Sequence, residues 1–221
     1  MQQIVLPIKD SNVLKMVQDT LLDSFRAGRR NYTIFQVGKA TLLQDTLLDS
    51  FRAGRRNYTI FQVGKATLLR VSDVMTLKKS DVYNPDGSVK HTAFIHDKKT
   101  GKANTLYLKP VQQDLLKYHD WLVQENINSV WLFPSTAHSD RHITEKQFYK
   151  VMARVGDLLG INYLGTHTMR KTGAYRVYTQ SNYNIGLVMN LLNHSSEAMT
   201  LAYLGLDQAS TETMLDKIDF G

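Results

Sequence analysis

The chain has 221 residues, enough to bury a real core, and its length predicts one domain or one and a half. It holds no cysteine, which excludes disulfides, thiolate metal sites and thiol nucleophiles, and no apolar run nears the roughly 20 residues a membrane span needs. The net charge of +7 favours a polyanionic partner, because neutralising phosphates releases condensed counterions.

Residues 1–10 read as an extended lead-in, with Pro7 braking any helix and no signal-peptide core; a soluble intracellular protein is expected. Asp10 or Ser11 can cap a helix whose apolar stripe is Val13, Leu14, Val17, Leu21 and Leu22. Residues 18–43 then recur without a single change as residues 44–69. Solenoid repeats diverge and need three or more units, so an identical pair points to a recent or engineered duplication. Each copy reads as a helix ending near Gly28 or Gly54, a basic turn, and a second helix. Arg26, Arg29 and Arg30, and in copy two Arg55 and Arg56, are candidate contacts to a phosphate backbone; a solvated helix end reads as well.

Arg70 follows the second copy directly, so the helix over about 57–69 must take the native place. For the helix before it, local continuity favours copy two, through residues 44–54. Val71, Val74, Met75 and Leu77 form the next apolar face, which puts Arg70 and Asp73 within reach of each other at i,i+3. From Asp81 to Leu108 the period changes, with turns at Pro85-Asp86-Gly87 and Lys99-Thr100-Gly101. A small three-stranded antiparallel sheet is expected there, its second hairpin tip carrying Lys98, Lys99 and Lys102.

Helices resume with Leu115, Leu116, Trp121 and Leu122 facing inward, then a buried Trp131–Ser135 loop. Thr144 and Gln147 make a capping box for a helix ended by Gly160. His138 and His142 have metal-site spacing but sit in loop text without a third ligand, so no metal is expected. Short helices follow over about 167–181, 183–193, 196–204 and 208–219, with a stripe of Ile185, Val188, Met189 and Leu192. The fold class is therefore mainly α with a small antiparallel sheet (α+β).

Within those last helices stand His167, Arg170, His194 and Tyr203, a cationic group able to neutralise a phosphodiester beside a phenol able to attack it. With the text LLRVSDV, DKKTGK, THTMRKT and LLNHSSEAMTLAYLG, the chain resembles the catalytic domain of the tyrosine recombinases, the phage-type integrases and Xer-type resolvases. The resemblance covers roughly residues 44–221. It implies a recombinase catalytic-domain fold and catalytic roles for Arg70, Lys99, His167, Arg170, His194 and Tyr203, with Asp73 behind them. It implies strand exchange through a 3′-phosphotyrosyl intermediate, with no metal, ATP or other cofactor. Double-stranded DNA is the implied partner, with Arg55, Arg56, Lys98, Lys102 and Lys171 on its backbone. Self-association is implied through the C-terminal helix, and a cytoplasmic location. Asn193 and Asp73 stand where the family usually has Gly and Glu. The chain is expected to be a single catalytic domain over 1–221, without the family's N-terminal DNA-clamping domain. Two rivals stay open: a type IB topoisomerase, with the same chemistry, and a helical DNA-binding regulator without catalysis.

Overall fold

Helix α1, Ser11–Asp23, starts where a carboxylate satisfies its first free amides. Asp10 Oδ1 accepts from the Asn12 and Val13 amides at 2.7 and 2.9 Å. The computed structural model describes residues 7–23, 54–99, 101–207 and 212. The expected helix end near Gly28, the basic turn of copy one, residues 44–53 and nearly all of the expected 208–219 helix lie outside the described residues.

Helix α2, Gly54–Thr67, is the centre of the fold and is buried on most of its surface. Its start corrects one expectation. Gly54, Arg55 and Arg56 do not form a basic turn after a helix; they are the first turn of this one. Arg56 is correspondingly not a DNA contact. It is 6% exposed, and its Nη1 donates to the Pro134 carbonyl at 2.7 Å while Nε and Nη2 reach Asn57 Oδ1. A buried guanidinium must find acceptors, and the Trp131–Ser135 loop supplies one. Arg55 remains half-exposed.

After α2 the chain turns sharply at Leu68, whose φ is 56°. Short helices α3, Val71–Met75, and α4, Lys79–Val82, follow. The sheet has two strands among the described residues, not the expected three: β1, Thr92–His96, and β2, Ala103–Tyr107, antiparallel with Thr92 opposite Tyr107 and His96 opposite Ala103. The start of the run expected to give the first strand, Asp81 and Val82, is drawn into α4, because Asp81 Oδ2 accepts the Lys78 amide at 2.7 Å and starts a helical turn. Only a single bridge, Tyr83 to Val89, spans the turn at Pro85-Asp86-Gly87. Ala93 and Leu106 face the core, whereas Phe94 points out, 77% exposed.

A 3-10 turn, Lys109–Val111, leads into α5, Gln112–Gln124. Leu115, Tyr118 and Leu122 of α5 are buried, and Leu116 and Trp121 pack at the margin. The following loop is buried as expected at Leu132 and Phe133, strapped by the Leu132 amide to Leu77 O and by Tyr118 Oη to Leu132 O. Helix α6, Glu145–Leu159, carries the expected capping box at Thr144 and Gln147 and ends at left-handed Gly160.

Three helices complete the described chain: α7, Thr168–Gln180; α8, Ile185–Leu192; and α9, Glu197–Leu204. Asn184 and Ser196 cap the starts of α8 and α9, and Asn193 and Gly205 end them in the left-handed conformation. Leu68, Ala174, Val188, Leu192 and Leu204 form a second, smaller core that joins the end of α2 to these helices. Two glycines permit that joint: a Cβ on Gly64 would strike Met169, and one on Gly173 would strike the Lys65 carbonyl. No described helix is long and apolar enough to cross a membrane.

Candidate active site

The second core presents side chains from four places in the sequence to one point. Arg170 lies one turn into α7 and is 6% exposed. Its Nε donates to Leu68 O at 2.6 Å and its Nη2 to Leu192 O at 3.1 Å. Those carbonyls are unpaired acceptors at the C-terminal ends of α2 and α8, where the helix dipoles favour a cation. The left-handed turn at Leu68 aims one of them at the guanidinium. Two donors thus lock the fork, and the guanidinium still lies near enough to the Tyr203 hydroxyl to favour its phenolate.

Tyr203, on α9, sits beside this guanidinium. Arg170 Cζ is 5.8 Å from the ring centre, Lys171 Nζ is 5.0 Å, and the His194 ring meets it edge-on at 5.3 Å. The Tyr203 hydroxyl oxygen is buried and has no hydrogen-bond partner among the described residues. Burial pushes the phenol above its usual value, while Arg170 and then Arg70 pull it down. The arginines favour the phenolate, but burial outweighs them here. Lys171, expected on the DNA backbone, stands over this ring, and burial lowers its pKa.

His194 follows the left-handed Asn193, and its amide closes α8 by donating to Met189 O. Its Nδ1 lies 3.1 Å from Thr200 Oγ1. The Thr200 hydroxyl already donates to Ser196 O, so the hydrogen between them belongs to Nδ1. The neutral ring therefore turns a bare Nε2 outward. His167 occupies the N-cap position of α7, on the same side as Arg170. Loss of solvent, then Arg170, holds both imidazoles below their usual pKa, with Lys171 adding to the effect at His167 and Arg70 at both.

Arg70 joins the group at the N-cap of α3 and is close enough for its charge to act on Arg170, His167, His194 and Tyr203. Its expected partner is corrected. Arg70 is extended, with ψ of 151°, so helical i,i+3 geometry toward Asp73 does not hold. Arg70 Nη1 pairs instead with Asp97 Oδ2 at 3.0 Å. Asp73 is buried, and its Oδ1 accepts the Lys98 amide at 2.9 Å. Asp97 was missed because only pairing of the hairpin against α3 brings it to Arg70, from 27 residues away in the chain. Its one local signal is an acid placed just before the Lys-Lys-Thr-Gly turn.

Lys99 is the one candidate not gathered in. It is exposed in the β1–β2 turn with Lys98 and Lys102, and no hydrogen bond, ion pair or ring contact ties it to the cluster among the described residues. Among the same residues, no three His, Cys, Asp or Glu side chains group to hold a metal. His142 rests edge-on against Trp131.

This geometry agrees with what the chain is similar to. The model of the phage integrase family matches residues 39–210. The probable integrase/recombinase YoeC of Bacillus subtilis (strain 168) is 31% identical over 142 residues, 64% of this chain and 73% of that one. Among solved structures, XerH site-specific recombinase in a post-cleavage complex with palindromic difH substrate matches with a TM-score of 0.62 at 18% identity, over 98% of this chain and 53% of that one. XerA recombinase matches at 0.58 and 15% identity, over 100% and 66%. A lambda integrase dimer bound to a COC′ core site matches at 0.57 and 16%, over 100% and 52%. The structural likeness is one of fold, and the chain spans about half the length of the XerH and lambda integrase chains. With the family model and the Bacillus relative in agreement, the chain belongs to the phage integrase family, the tyrosine recombinases.

Proposed function

We propose that this chain is the catalytic domain of a site-specific recombinase that cuts and rejoins duplex DNA through Tyr203. The carrying observation is the buried, unpartnered Tyr203 hydroxyl flanked by Arg170, Lys171 and His194. An unpaired buried hydroxyl costs about 1–3 kcal/mol, a cost that an arriving phosphate relieves. Arg70 and Arg170 each have donors left for the non-bridging oxygens, where charge grows in the transition state. His194 donates there through Nε2 once protonated, and a bound phosphate favours that charge.

The Tyr203 oxygen attacks phosphorus, its proton leaving with the help of His167. The bond from phosphorus to the 5′ oxygen breaks, and Lys99 gives that oxygen a proton. The product is a 3′-phosphotyrosyl strand and a free 5′-hydroxyl. The ester conserves the bond, so a 5′-hydroxyl can reverse the step on the same strand or a new one. Lys99 stands on an exposed turn, where DNA seated on the cluster meets it together with Lys98 and Lys102. Arg55 and Lys171 add positive charge at the DNA backbone. The C-terminal segment over 208–219 serves self-association on DNA, in the cytoplasm.

Trapping on nicked suicide duplexes tests this reading. The wild-type chain should form an adduct that survives denaturation, while Tyr203→Phe should keep the fold and DNA affinity and form none. An adduct in the Phe variant at wild-type level would sink the assignment.

A further inference from the structure

The turn that carries Lys99 is tied to the Arg70 element at two points, and one of them is the Asp97 side chain, which bonds Arg70 itself. Asp97 Oδ2 accepts from Arg70 Nη1 at 3.0 Å, and Oδ1 accepts from Asn104 Nδ2 on β2 at 3.2 Å. Its backbone closes the turn: the Asp97 amide donates to Lys102 O at 2.9 Å, and the Gly101 amide donates to Asp97 O at 2.7 Å. The next amide, that of Lys98, donates to Asp73 Oδ1 on α3. The Asp97 side chain is 6% exposed and that of Arg70 20%, so the charge-assisted bond between them is little screened by solvent. An arginine has five donors in a rigid fork, and here Nε and Nη2 of Arg70 have no partner among the described residues. Asp97 therefore holds Arg70 without using up the fork.

We propose that Asp97 is a positioning residue for strand cleavage, setting the place of Lys99 relative to Arg70 and hence to the phosphate. The inference rests on the phosphotyrosyl reading above, in which Arg70 binds the phosphate and Lys99 protonates the leaving oxygen. Those two groups lie on separate elements; Asp97 bonds the Arg70 side chain itself, whereas Asp73 bonds only the Lys98 backbone. Removing its charge weakens the tie between Arg70 and the base of the turn, while Arg70 keeps its free donors for the phosphate, so Lys99 no longer meets the 5′ oxygen in register. A misplacement of about 1 Å at a reacting centre costs on the order of 100-fold in rate.

The test is single-turnover cleavage of nicked duplexes carrying either an ordinary bridging 5′ oxygen or a bridging 5′ sulfur. A thiolate leaves without a proton, so the sulfur substrate removes the need for Lys99. Asp97→Asn, near in shape but uncharged, is compared with wild type, Lys99→Ala and the double variant. Asp97→Asn should cleave the oxygen substrate about 10- to 100-fold more slowly, with DNA affinity unchanged. It should regain most of that loss on the sulfur substrate. It should also add little slowing to Lys99→Ala, because both changes disable one step.

Equal slowing on both substrates, multiplying effects in the double variant, or a wild-type rate would each overturn the role of Asp97. If Asp97→Asn fails to fold, Asn104→Ala, which removes the Asn104 bond that steadies the Asp97 carboxylate, carries the same comparison with the same outcomes. A wild-type chain that forms no adduct overturns the phosphotyrosyl reading itself. Lys99→Ala unrescued by sulfur overturns the acid role of Lys99 and this inference together, while leaving the adduct in place.

Discussion

At the scale of single residues, the site is a set of ionisable groups held away from their usual states by burial and by one another. His167 and His194 both bind a proton less tightly in the folded chain than the ordinary value of 6.5. Below 6.5 the unfolded chain therefore holds more protons than the folded one, so stability is complete above that value and is lost as pH falls through the lower, folded-state range. The thermal midpoint should be lower at about pH 5.5 than at about pH 7.5, and His194→Gln should narrow the difference. A difference untouched by that substitution would place the pH dependence on other groups. Most of the cluster was legible in the sequence, because the histidines, Arg170 and Tyr203 lie within one run of short helices and Arg70 carries its own local text. What was not legible came from long-range packing. Arg56 looks like a surface cation until the Pro134 carbonyl is seen against it. Asp97 looks like a turn residue until the hairpin meets α3. The arginines near Tyr203 favour its phenolate, and only the packed structure shows burial prevailing.

At the scale of elements, local rules were reliable where a side chain ends a helix. The Thr144–Gln147 box and the helix end at Gly160 stand where the sequence pointed. They were weaker where a turn competes with a strand, since the α4 cap took the start of the run meant for a third strand. The joint between α2 and α7 decides where Arg170 lies, and no periodicity announces it. Gly173 lets α7 approach so closely that an added methyl would meet the Lys65 carbonyl. That carbonyl is helical backbone and cannot give way as a flexible side chain would. Gly173→Ala should therefore cost about 1–3 kcal/mol of stability by forcing the helices apart. It should also slow adduct formation, because α7 would carry Arg170 away from Leu68 O. Urea unfolding and single-turnover trapping measure the two effects. An unchanged unfolding midpoint would show that the joint relaxes freely.

For the whole molecule, the open matter is how one fold accommodates the same 26-residue text twice, at 18–43 and 44–69. Helix α2 comes from copy two, as the position of Arg70 requires. Among the described residues the helix packed on it is α1; residues 44–53, which continuity favoured, lie outside them. Helix α1 is made of residues 11–17 followed by the first residues of copy one, with Gln18 Nε2 donating to Gln62 Oε1 at 2.8 Å across the two copies. The reason is that Val13, Leu14 and Val17 already define an apolar face, and copy one prolongs it with Thr20, which is buried. Deleting 18–43 or 44–69 yields one and the same chain, in which α1 runs unchanged and passes to α2 through Ser-Phe-Arg-Ala alone. Counted as an open connection, shortening residues 24–53 to those four lowers the closure cost by about 1–2 kcal/mol. The shortened chain should therefore resist urea at least as well as the parent by about that margin, and form the Tyr203 adduct no more slowly. A deletion that unfolds the chain would show that the second copy is structural, and that residues 24–53 do more than connect two helices.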